Sequence, residues 1–286
     1  MVGAQKYFRN IAYLRSNRRK TRRLSLSGRN IRRFSYLCAE IMSYEQEKIM
    51  PYGQGEAKGR QVERMFDEIA PTYDLLNHRL SWGIDRRWRR AAIDSLTPYA
   101  PQRILDVATG TADFALLAAQ RLRPKRLLGV DLSEGMLEVG RRKVAAAGLD
   151  GVIELRRDDC MHLNLGDDEM DAVTVAYGVR NFEDLERGLS EMRRVLRPEG
   201  RLVVIELTRP HRFPMRQLFW LYAHLLMPTI GRLVSGDKRA YAYLPATMEA
   251  FPQGERMQRI LQRAGFRDVR FRRFTFGLST LYTACK

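Results

Sequence analysis

The sequence predicts an α/β fold with a doubly wound, mostly parallel sheet and an antiparallel last strand. From Arg103 onward, short apolar runs alternate with amphipathic stretches, which is the pattern of repeated βα units. The chain has 286 residues, of which 45% are hydrophobic and 29% are charged. It is therefore too apolar for a disordered protein and long enough to bury one full core.

The predicted elements follow one another in a regular order. Buried strands are predicted at 103–108, 126–131, 152–155, 172–176 and 202–206. After the second strand, Ser133 is placed to cap a helix that Gly148 ends. Apolar residues recur at helical spacings over 182–196, and Pro198 and Gly200 are predicted to end that helix. The last part of the chain predicts a helix at 257–264 and a hairpin of strands at 269–274 and 278–284.

The net charge of +17 is concentrated in the first part of the chain. Residues 1–41 hold 11 basic side chains and a single acidic one, Glu40. Three interpretations stay open for this extension: translated upstream sequence before Met42, a mitochondrial transit peptide, and a disordered basic arm. We favour the first. In each case we expect 1–41 to lie outside a single domain over 42–286, whose N-terminal helical cap covers about 60–97.

Cysteine and histidine are too few and too scattered for a disulfide framework or a metal site. Cys38, Cys160 and Cys285 lie far apart in the chain, and four histidines are present. We therefore expect no metal, a reducing compartment and a cytoplasmic location, with the mitochondrial matrix as the alternative.

Small and acidic residues follow the first strands, at the edge where doubly wound sheets bind ligands. The loop 106–113 has one glycine, Gly110, so it lacks the three glycines of a dinucleotide fingerprint. Asp131 ends the second strand, where a carboxylate can accept hydrogen bonds from both ribose hydroxyls. Asp159 and Cys160 follow the third strand, where an adenine edge would lie. An acidic loop without a phosphate cradle suits a cationic nucleoside cofactor, and we predict S-adenosylmethionine.

Each of these acidic residues also has a purely structural interpretation. An aspartate at the end of a strand often caps a helix or shapes a turn, and this alternative stays open for Asp106. Asp159 and Cys160 fit an ordinary polar loop equally well. For Asp131, the neighbouring Ser133 already supplies a helix cap, so ribose binding is favoured.

Three separated segments carry a family resemblance. They read YDLLNHRLSWGIDRRW at 73–88, YGVRN at 177–181 and RVLRPEGRLVVIELT at 194–208. Together they resemble the ubiquinone/menaquinone biosynthesis C-methyltransferases, from about Val62 to the end of the chain. Tyr177 stands where the family usually has Phe. Many members have Asn-Ala at the pair 159–160, so the adenine contact would differ in charge here.

The resemblance implies a class I S-adenosylmethionine-dependent methyltransferase with a Rossmann-like fold. It also implies methylation of a ring carbon of a lipid-soluble polyprenyl quinol. The first expectation is conversion of 2-demethylmenaquinol to menaquinol, and the alternative is a quinol of the ubiquinone pathway. Carried over by position, the family's cofactor contacts fall on Thr111, Asp131, Asp159 and Cys160; Gly110 joins them because it lets the backbone approach a ligand closely.

We predict catalytic roles for Arg180, Asn181 and Tyr73. Arg180 is expected to stabilise the developing phenolate of the acceptor, directly or through water, and Asn181 to orient the ring hydroxyl. Tyr73 is expected to belong to a lid over the cofactor. Its alternative is an ordinary aromatic residue of the helical cap.

The isoprenoid tail of such an acceptor requires an apolar surface. The stretch 217–231 has 15 uncharged residues, too few to span a bilayer. It would line a tail channel, lie peripherally on the inner face of the membrane, or form a buried helix. An RNA methyltransferase and a nucleic-acid-binding protein acting through 1–41 stay open as alternatives. We expect no nucleic-acid partner, because no aromatic and basic repeat or RNA module is present.

Overall fold

A seven-stranded sheet forms the centre of the fold. The computed structural model describes residues 44–53, 55–80, 83–210, 212–221 and 238–286, so the predicted extension 1–41 lies outside the described residues. The strands are β1 (Arg103–Val107), β2 (Arg126–Asp131), β3 (Ile153–Arg157), β4 (Met170–Ala176), β5 (Leu196–Leu207), β6 (Arg267–Phe274) and β7 (Ser279–Cys285).

The strands lie in the order β3-β2-β1-β4-β5-β7-β6. β7 runs antiparallel to β5 and β6, whereas the other neighbouring pairs are parallel. This confirms the predicted doubly wound, mostly parallel sheet with an antiparallel last strand. The order of the strands reverses between β1 and β4, which is where ligands bind in such sheets.

Helices precede the sheet and connect its strands. They are α1 (Lys58–Leu80), α2 (Ile84–Asp94), α3 (Asp113–Leu122), α4 (Glu134–Ala146), α5 (Leu185–Val195), α6 (Met215–Leu221), α7 (Lys238–Ala250) and α8 (Glu255–Arg263). The predicted cap falls on α1 and α2. Of the apolar stretch 217–231, the structure describes 217–221, the last residues of α6. In the described part of the chain, every helix is too short or too polar to cross a bilayer.

Two apolar clusters cover the two faces of the sheet. Leu105 and Val107 of β1 and Val175 of β4 pack with residues of α5 and α8 on one face. Ile104 and Ala172, from the same two strands, pack with residues of α2 and α3 on the other. Because successive residues of a strand point to opposite faces, burial on both sides explains the continuous apolar runs of the sequence.

Two helices begin where capping chemistry places them. The side chain of Ser133 accepts a hydrogen bond from the backbone N–H of Met136 at 3.1 Å, which confirms the predicted start of α4. Asp184 accepts one from Arg187 at 2.8 Å and starts α5. Since α4 begins directly after β2, its cap also holds the loop that follows Asp131.

The junction of α5 and β5 differs from the prediction. The helix was expected to reach 196 and the strand to begin at 202, but α5 ends at Val195 and β5 begins at Leu196. Glu199 has a φ of 63°, and the register between β4 and β5 shifts at this point. The new strand therefore starts irregularly around Pro198. Apolar spacing alone could not place the boundary, because Leu196 fits both the helical stripe and the strand.

Candidate active site

The loops at the carboxyl ends of β1 to β4 surround a pocket. The pocket lies where the order of the strands reverses, which is the position at which such sheets bind ligands. Helix α1 contributes one side of the lining through Gly59, Val62, Glu63, Phe66 and Tyr73.

A buried aspartate joins β1 to β4 next to this pocket. The carboxylate of Asp106 accepts hydrogen bonds from the hydroxyl of Thr174 at 2.6 Å and from that of Thr109 at 2.7 Å. Thr174 belongs to β4 and Thr109 to the loop after β1. Burial raises the pKa of Asp106 to about 6, although the two hydrogen bonds oppose the shift. Of the alternatives left open for Asp106, the contacts favour the structural one.

The carboxylate of Asp131 lies at the pocket in a fixed orientation. Its Oδ2 accepts a hydrogen bond from the backbone N–H of Gly110 at 2.8 Å, and its Oδ1 accepts one from Ser133 at 3.0 Å. Burial raises the pKa of Asp131, and these backbone bonds oppose the shift. Gly110 has a φ of 55°, and a Cβ atom there would meet nothing within 4 Å. Both residues line the pocket, and the space beside Gly110 is open to a ligand.

Residues 158–160 bring a second acidic segment to the pocket. The carboxylate of Asp158 accepts hydrogen bonds from the backbone and side-chain N–H groups of Asn164 at 3.1 and 2.7 Å, so it builds the turn. Asp159 accepts one from the backbone of Met161 at 2.8 Å, and its side chain is 45% exposed. Burial raises the pKa of the Cys160 thiol, which therefore stays protonated. Asp159 thus lines the pocket and also shapes its own turn.

The pocket is acidic although the chain is strongly basic. Among the described residues its lining includes no lysine, arginine or histidine, and its five acidic members are Glu63, Asp131, Asp158, Asp159 and Glu183. Within the same ranges, no cluster of histidine, cysteine and carboxylate side chains has the geometry of a metal site. Arg157 pairs with Glu63 at 2.5 Å, and Arg156 pairs with Asp158 at 2.9 Å. This leaves Asp131, Asp159 and Glu183 as the main negative charges at the pocket. Such charges favour a cation. Together with the fixed orientation of Asp131 and the open space beside Gly110, they fit S-adenosylmethionine.

Carboxylates of α1 fasten this helix to the cofactor side of the pocket. Asp67 accepts a hydrogen bond from the hydroxyl of Ser133 at 2.6 Å. Asp74 accepts one from the hydroxyl of Thr111 at 2.6 Å and one from Nζ of Lys143 at 2.9 Å. Thr111 therefore has its partner in α1, and the structure does not place it in the pocket lining. Asp74 lies in the segment 73–88, the first of the three that carry the family resemblance. No sequence pattern predicted a role for Asp67 or Lys143.

The turn after β4 carries the residues predicted to meet the acceptor. Asn181 lines the pocket, and its Oδ1 is buried without a hydrogen-bond partner in the described chain. The guanidinium of Arg180 donates to Oε1 of Glu206 at 2.7 Å and to the backbone carbonyl of Tyr177. Glu206 compensates the charge of Arg180, and Arg180 is absent from the described lining of the pocket. The structure thus brings Asn181, and not Arg180, to the pocket.

Tyr73 lies in α1 and lines the pocket. Its ring meets that of Phe66 edge to face, with 5.9 Å between the centroids. It is therefore an aromatic residue of the helical cap that also forms part of the pocket wall, and its place in a lid over the cofactor stays a prediction.

Comparison with known proteins identifies the family. Residues 54–286 match the ubiE/COQ5 methyltransferase family. The chain belongs to this family. It is 58% identical over 245 residues to a demethylmenaquinone methyltransferase of Bacteroides fragilis, covering 86% of this chain and 100% of the relative. A demethylmenaquinone methyltransferase of Porphyromonas gingivalis is 43% identical, covering 84% and 98%. The ubiquinone/menaquinone biosynthesis C-methyltransferase of Geobacter sulfurreducens is 42% identical, covering 85% and 94%.

Solved structures share the fold of this methyltransferase. The [4+2]-cyclase SpnF has a TM-score of 0.61 at 17% identity, covering 80% of this chain and 96% of that one. A SAM-dependent methyltransferase of Thermotoga maritima, described as a possible histamine N-methyltransferase, has a TM-score of 0.55 at 19% identity, covering 78% and 99%. Family and fold confirm the predicted methyltransferase and its cofactor, S-adenosylmethionine.

A buried lysine of this methyltransferase was not predicted from the sequence. Lys58, the first residue of α1, is 1% exposed, and its Nζ donates to the carbonyls of Gln46 at 2.5 Å and Phe182 at 3.3 Å. Burial lowers its pKa to about 8, against the attraction of Glu47 and Glu183. Since Phe182 lines the pocket, this lysine links α1 and the turn that carries Gln46 to the pocket wall.

The free energy of unfolding is expected to depend on Lys58 between pH 8 and pH 10.5. The folded state holds the proton of Lys58 less tightly than the unfolded state, so the unfolded state binds more protons in this range. This lysine therefore makes stability rise as pH increases. Buried tyrosine and cysteine side chains with raised pKa values contribute the opposite slope in this range, so the test is a comparison. In denaturant titrations, the slope of stability against pH should be more positive in the wild type than in Lys58→Met.

Lys48→Met is the matched control, because the side chain of Lys48 is 54% exposed. It should keep the pH dependence of the wild type. The same pH dependence in Lys58→Met and in the wild type would contradict the lowered pKa of Lys58.

Proposed function

We propose that this methyltransferase transfers the methyl group of S-adenosylmethionine to a ring carbon of a lipid-soluble polyprenyl quinol, converting 2-demethylmenaquinol to menaquinol. The acidic residues at the pocket, above all Asp131, carry this proposal, because they suit a cationic cofactor. Relatives at 58% and 43% identity are named demethylmenaquinone methyltransferases, which supports this acceptor. The name of the relative at 42% identity keeps a ubiquinone-pathway quinol as the second candidate.

The residues on one side of the pocket would hold the cofactor. Asp131 accepts hydrogen bonds from the ribose hydroxyls, Gly110 lets the backbone approach, and Asp159 and Cys160 border the adenine. Thr111 acts indirectly, through its bond to α1. When bound, S-adenosylmethionine supplies a methyl group whose bond to sulfur breaks as the new carbon–carbon bond forms, and one proton leaves the acceptor ring.

The turn after β4 would hold the acceptor. The unpaired Oδ1 of Asn181 accepts a hydrogen bond from the ring hydroxyl and so orients the ring. Transfer of the hydroxyl proton to water makes the ring carbon nucleophilic. After methyl transfer the ring carbon loses its hydrogen as a proton and the oxygen is protonated again, so one proton is released in total. Arg180 keeps the turn in place through Glu206, and we assign it a positioning role. Tyr73 closes the pocket from α1 and helps to exclude water.

Methyl transfer from labelled S-adenosylmethionine tests the proposed function. The full chain is offered demethylmenaquinol and, separately, a ubiquinone-pathway ring precursor. We expect label in menaquinol, and the same transfer from a chain that begins at Met42, since we place the activity in 42–286. Label in the ubiquinone precursor alone would change the acceptor to the second candidate. Label in neither, with cofactor binding intact, would contradict quinol methylation.

Asp131→Asn is expected to weaken binding of S-adenosylmethionine. An amide cannot replace the charged acceptor of the ribose hydroxyls, so the Kd should rise about tenfold to hundredfold, measured by titration calorimetry. Asp150→Asn is the matched control, because Asp150 is exposed and lies outside the pocket lining. A wild-type Kd in Asp131→Asn would show that Asp131 does not bind the ribose.

An exposed apolar surface follows β5, whose end lies beside the pocket. This aromatic surface consists of side chains that are 49% to 80% exposed: Phe213, Leu218, Trp220, Leu221 and Phe276. Phe276 precedes Gly277, whose carbonyl accepts a hydrogen bond from the hydroxyl of Thr208 at 2.8 Å, so it lies near the end of β5, after which the other four residues follow in the chain. Arg212 and Arg216 are exposed in the same segment. Apolar side chains flanked by arginines suit an anionic bilayer.

We extend the proposal to the place where the enzyme works. The aromatic surface docks on the inner face of the cytoplasmic membrane, so that the isoprenoid tail stays in the lipid while the ring enters the pocket.

A double variant, Phe213→Ser with Phe276→Ser, is expected to lose binding to anionic vesicles. Loss of two buried phenyl groups should lower the partition coefficient at least about tenfold in a sedimentation assay. Tyr99→Ser is the control, because Tyr99 is 48% exposed and precedes β1, at the amino ends of the parallel strands. Unchanged vesicle binding by the folded double variant would remove the membrane surface from the proposal.

A further inference from the structure

Polar side-chain atoms near the carboxyl ends of β4 and β5 are buried with few hydrogen-bond partners among the residues described. Oδ1 of Asn181 has none there, and the hydroxyls of Tyr177 and Ser279 have at most each other. Tyr177 and Asn181 line the pocket, and Ser279 pairs with the last residue of β5. Burying polar atoms unpaired is costly. Their concentration beside one pocket indicates a ligand that supplies the missing partners.

The backbone of Tyr177 is held in an unusual conformation. Its φ of 62° lies in the left-handed region, which is unfavourable for a residue with a side chain. Its N–H donates to the carbonyl of Ile205 at 2.8 Å, and its carbonyl accepts from Arg180. A Cβ atom at Gly178 would lie 2.6 Å from Cβ of Ala108, so the turn packs closely on the loop after β1. These contacts enforce the strain and fix the tyrosine ring at the pocket.

A guanidinium lies over the ring of Tyr177. Cζ of Arg89, in α2, is 5.0 Å from the ring centroid, and its Nε is 3.5 Å from Oδ2 of Asp85. The Arg89 side chain is 11% exposed, so water screens it little. A cation over the ring draws electron density from it, which makes the phenol a stronger hydrogen-bond donor. Burial raises the pKa of Tyr177, and the charge of Arg89 and a hydrogen bond from Ser279 oppose this only in part, so the phenol keeps its own proton and can donate it to a ligand.

We propose that the Tyr177 hydroxyl donates a hydrogen bond to a ring oxygen of the quinol acceptor, with Arg89 as a positioning residue that acts through the Tyr177 ring. This rests on the proposed function, in which the ring oxygen loses its proton and becomes a phenolate before the ring carbon attacks the methyl group. A donor at that oxygen stabilises the phenolate as it forms. The family usually has Phe here, so the hydroxyl is a contact that this chain adds to the common machinery.

Tyr177→Phe removes the hydroxyl alone and introduces the residue usual in the family, so the variant is expected to fold. We expect kcat/KM for the quinol to fall about tenfold, with an unchanged Kd for S-adenosylmethionine. The matched control is Tyr243→Phe. Tyr243 is 5% exposed and its hydroxyl is unpaired in the described chain, but it does not line the pocket. Its kinetic constants should stay at the wild-type values.

Stability separates this role from a structural one. The Tyr243 hydroxyl has no partner in the described chain and the Tyr177 hydroxyl has at most that of Ser279, so neither variant should unfold at a much lower denaturant concentration than the wild type. A lower kcat/KM in Tyr177→Phe with wild-type stability and cofactor binding supports the proposal, and an unchanged kcat/KM overturns it. If the wild type, assayed in parallel, methylates no quinol, the proposed function fails and this contact fails with it.

A double-mutant cycle tests the part played by Arg89. If Arg89 acts through Tyr177, Arg89→Met should lower kcat in the wild-type background and change it little in Tyr177→Phe. Arg89→Lys, which keeps the charge, should restore part of the loss. Additive losses in the double variant would overturn the positioning role.

Discussion

The buried carboxylate of Asp106 is the contact on which the rest of the site depends. It accepts one hydrogen bond from a hydroxyl of β4 and one from a hydroxyl in the loop after β1, so it joins the two strands between which the sheet order reverses. With a pKa of about 6, it is mostly ionised at neutral pH, and the two hydroxyls offset part of its desolvation cost. The two loops are thereby kept in register. One presents Gly110 to Asp131, and the other presents Tyr177 and Asn181 to the same pocket.

The distribution of charge separates two tasks within one chain. The protein carries a net charge of +17, yet the described pocket lining is acidic and free of basic side chains. Partners hold the arginines beside the pocket: Glu206 pairs with Arg180, and the Tyr177 ring lies against Arg89. Glu63 and Asp158 of the lining pair with Arg157 and Arg156. A cationic cofactor therefore meets Asp131, Asp159 and Glu183, the lining carboxylates outside those pairs. Outside, exposed arginines flank the aromatic surface, where they suit contact with anionic lipid.

Local sequence patterns carry the information for strands, caps and strand ends. Local residue patterns predict the strands and the Ser133 cap. The topology of parallel sheets then predicts that Asp131, Asp159 and Asn181 lie at one edge of the sheet. Side-chain partners distant in sequence do not follow from such patterns. The bond from Lys143 to Asp74 joins positions 69 apart, and that from Lys58 to the carbonyl of residue 182 joins positions 124 apart. For the same reason, the sequence predicted a contact between Arg180 and the acceptor. Glu206, the partner of Arg180, is 26 positions away and is identified only in the folded chain.

A crystal structure of the protein with S-adenosylhomocysteine tests the placement of the cofactor most directly. We predict that the ribose hydroxyls lie within hydrogen-bond distance of the Asp131 carboxylate, and that the adenine lies beside Asp159 and Cys160. The sulfur atom should face the turn that carries Tyr177 and Asn181. A ribose held away from Asp131, or a nucleoside bound at another edge of the sheet, would contradict this account of how the pocket works.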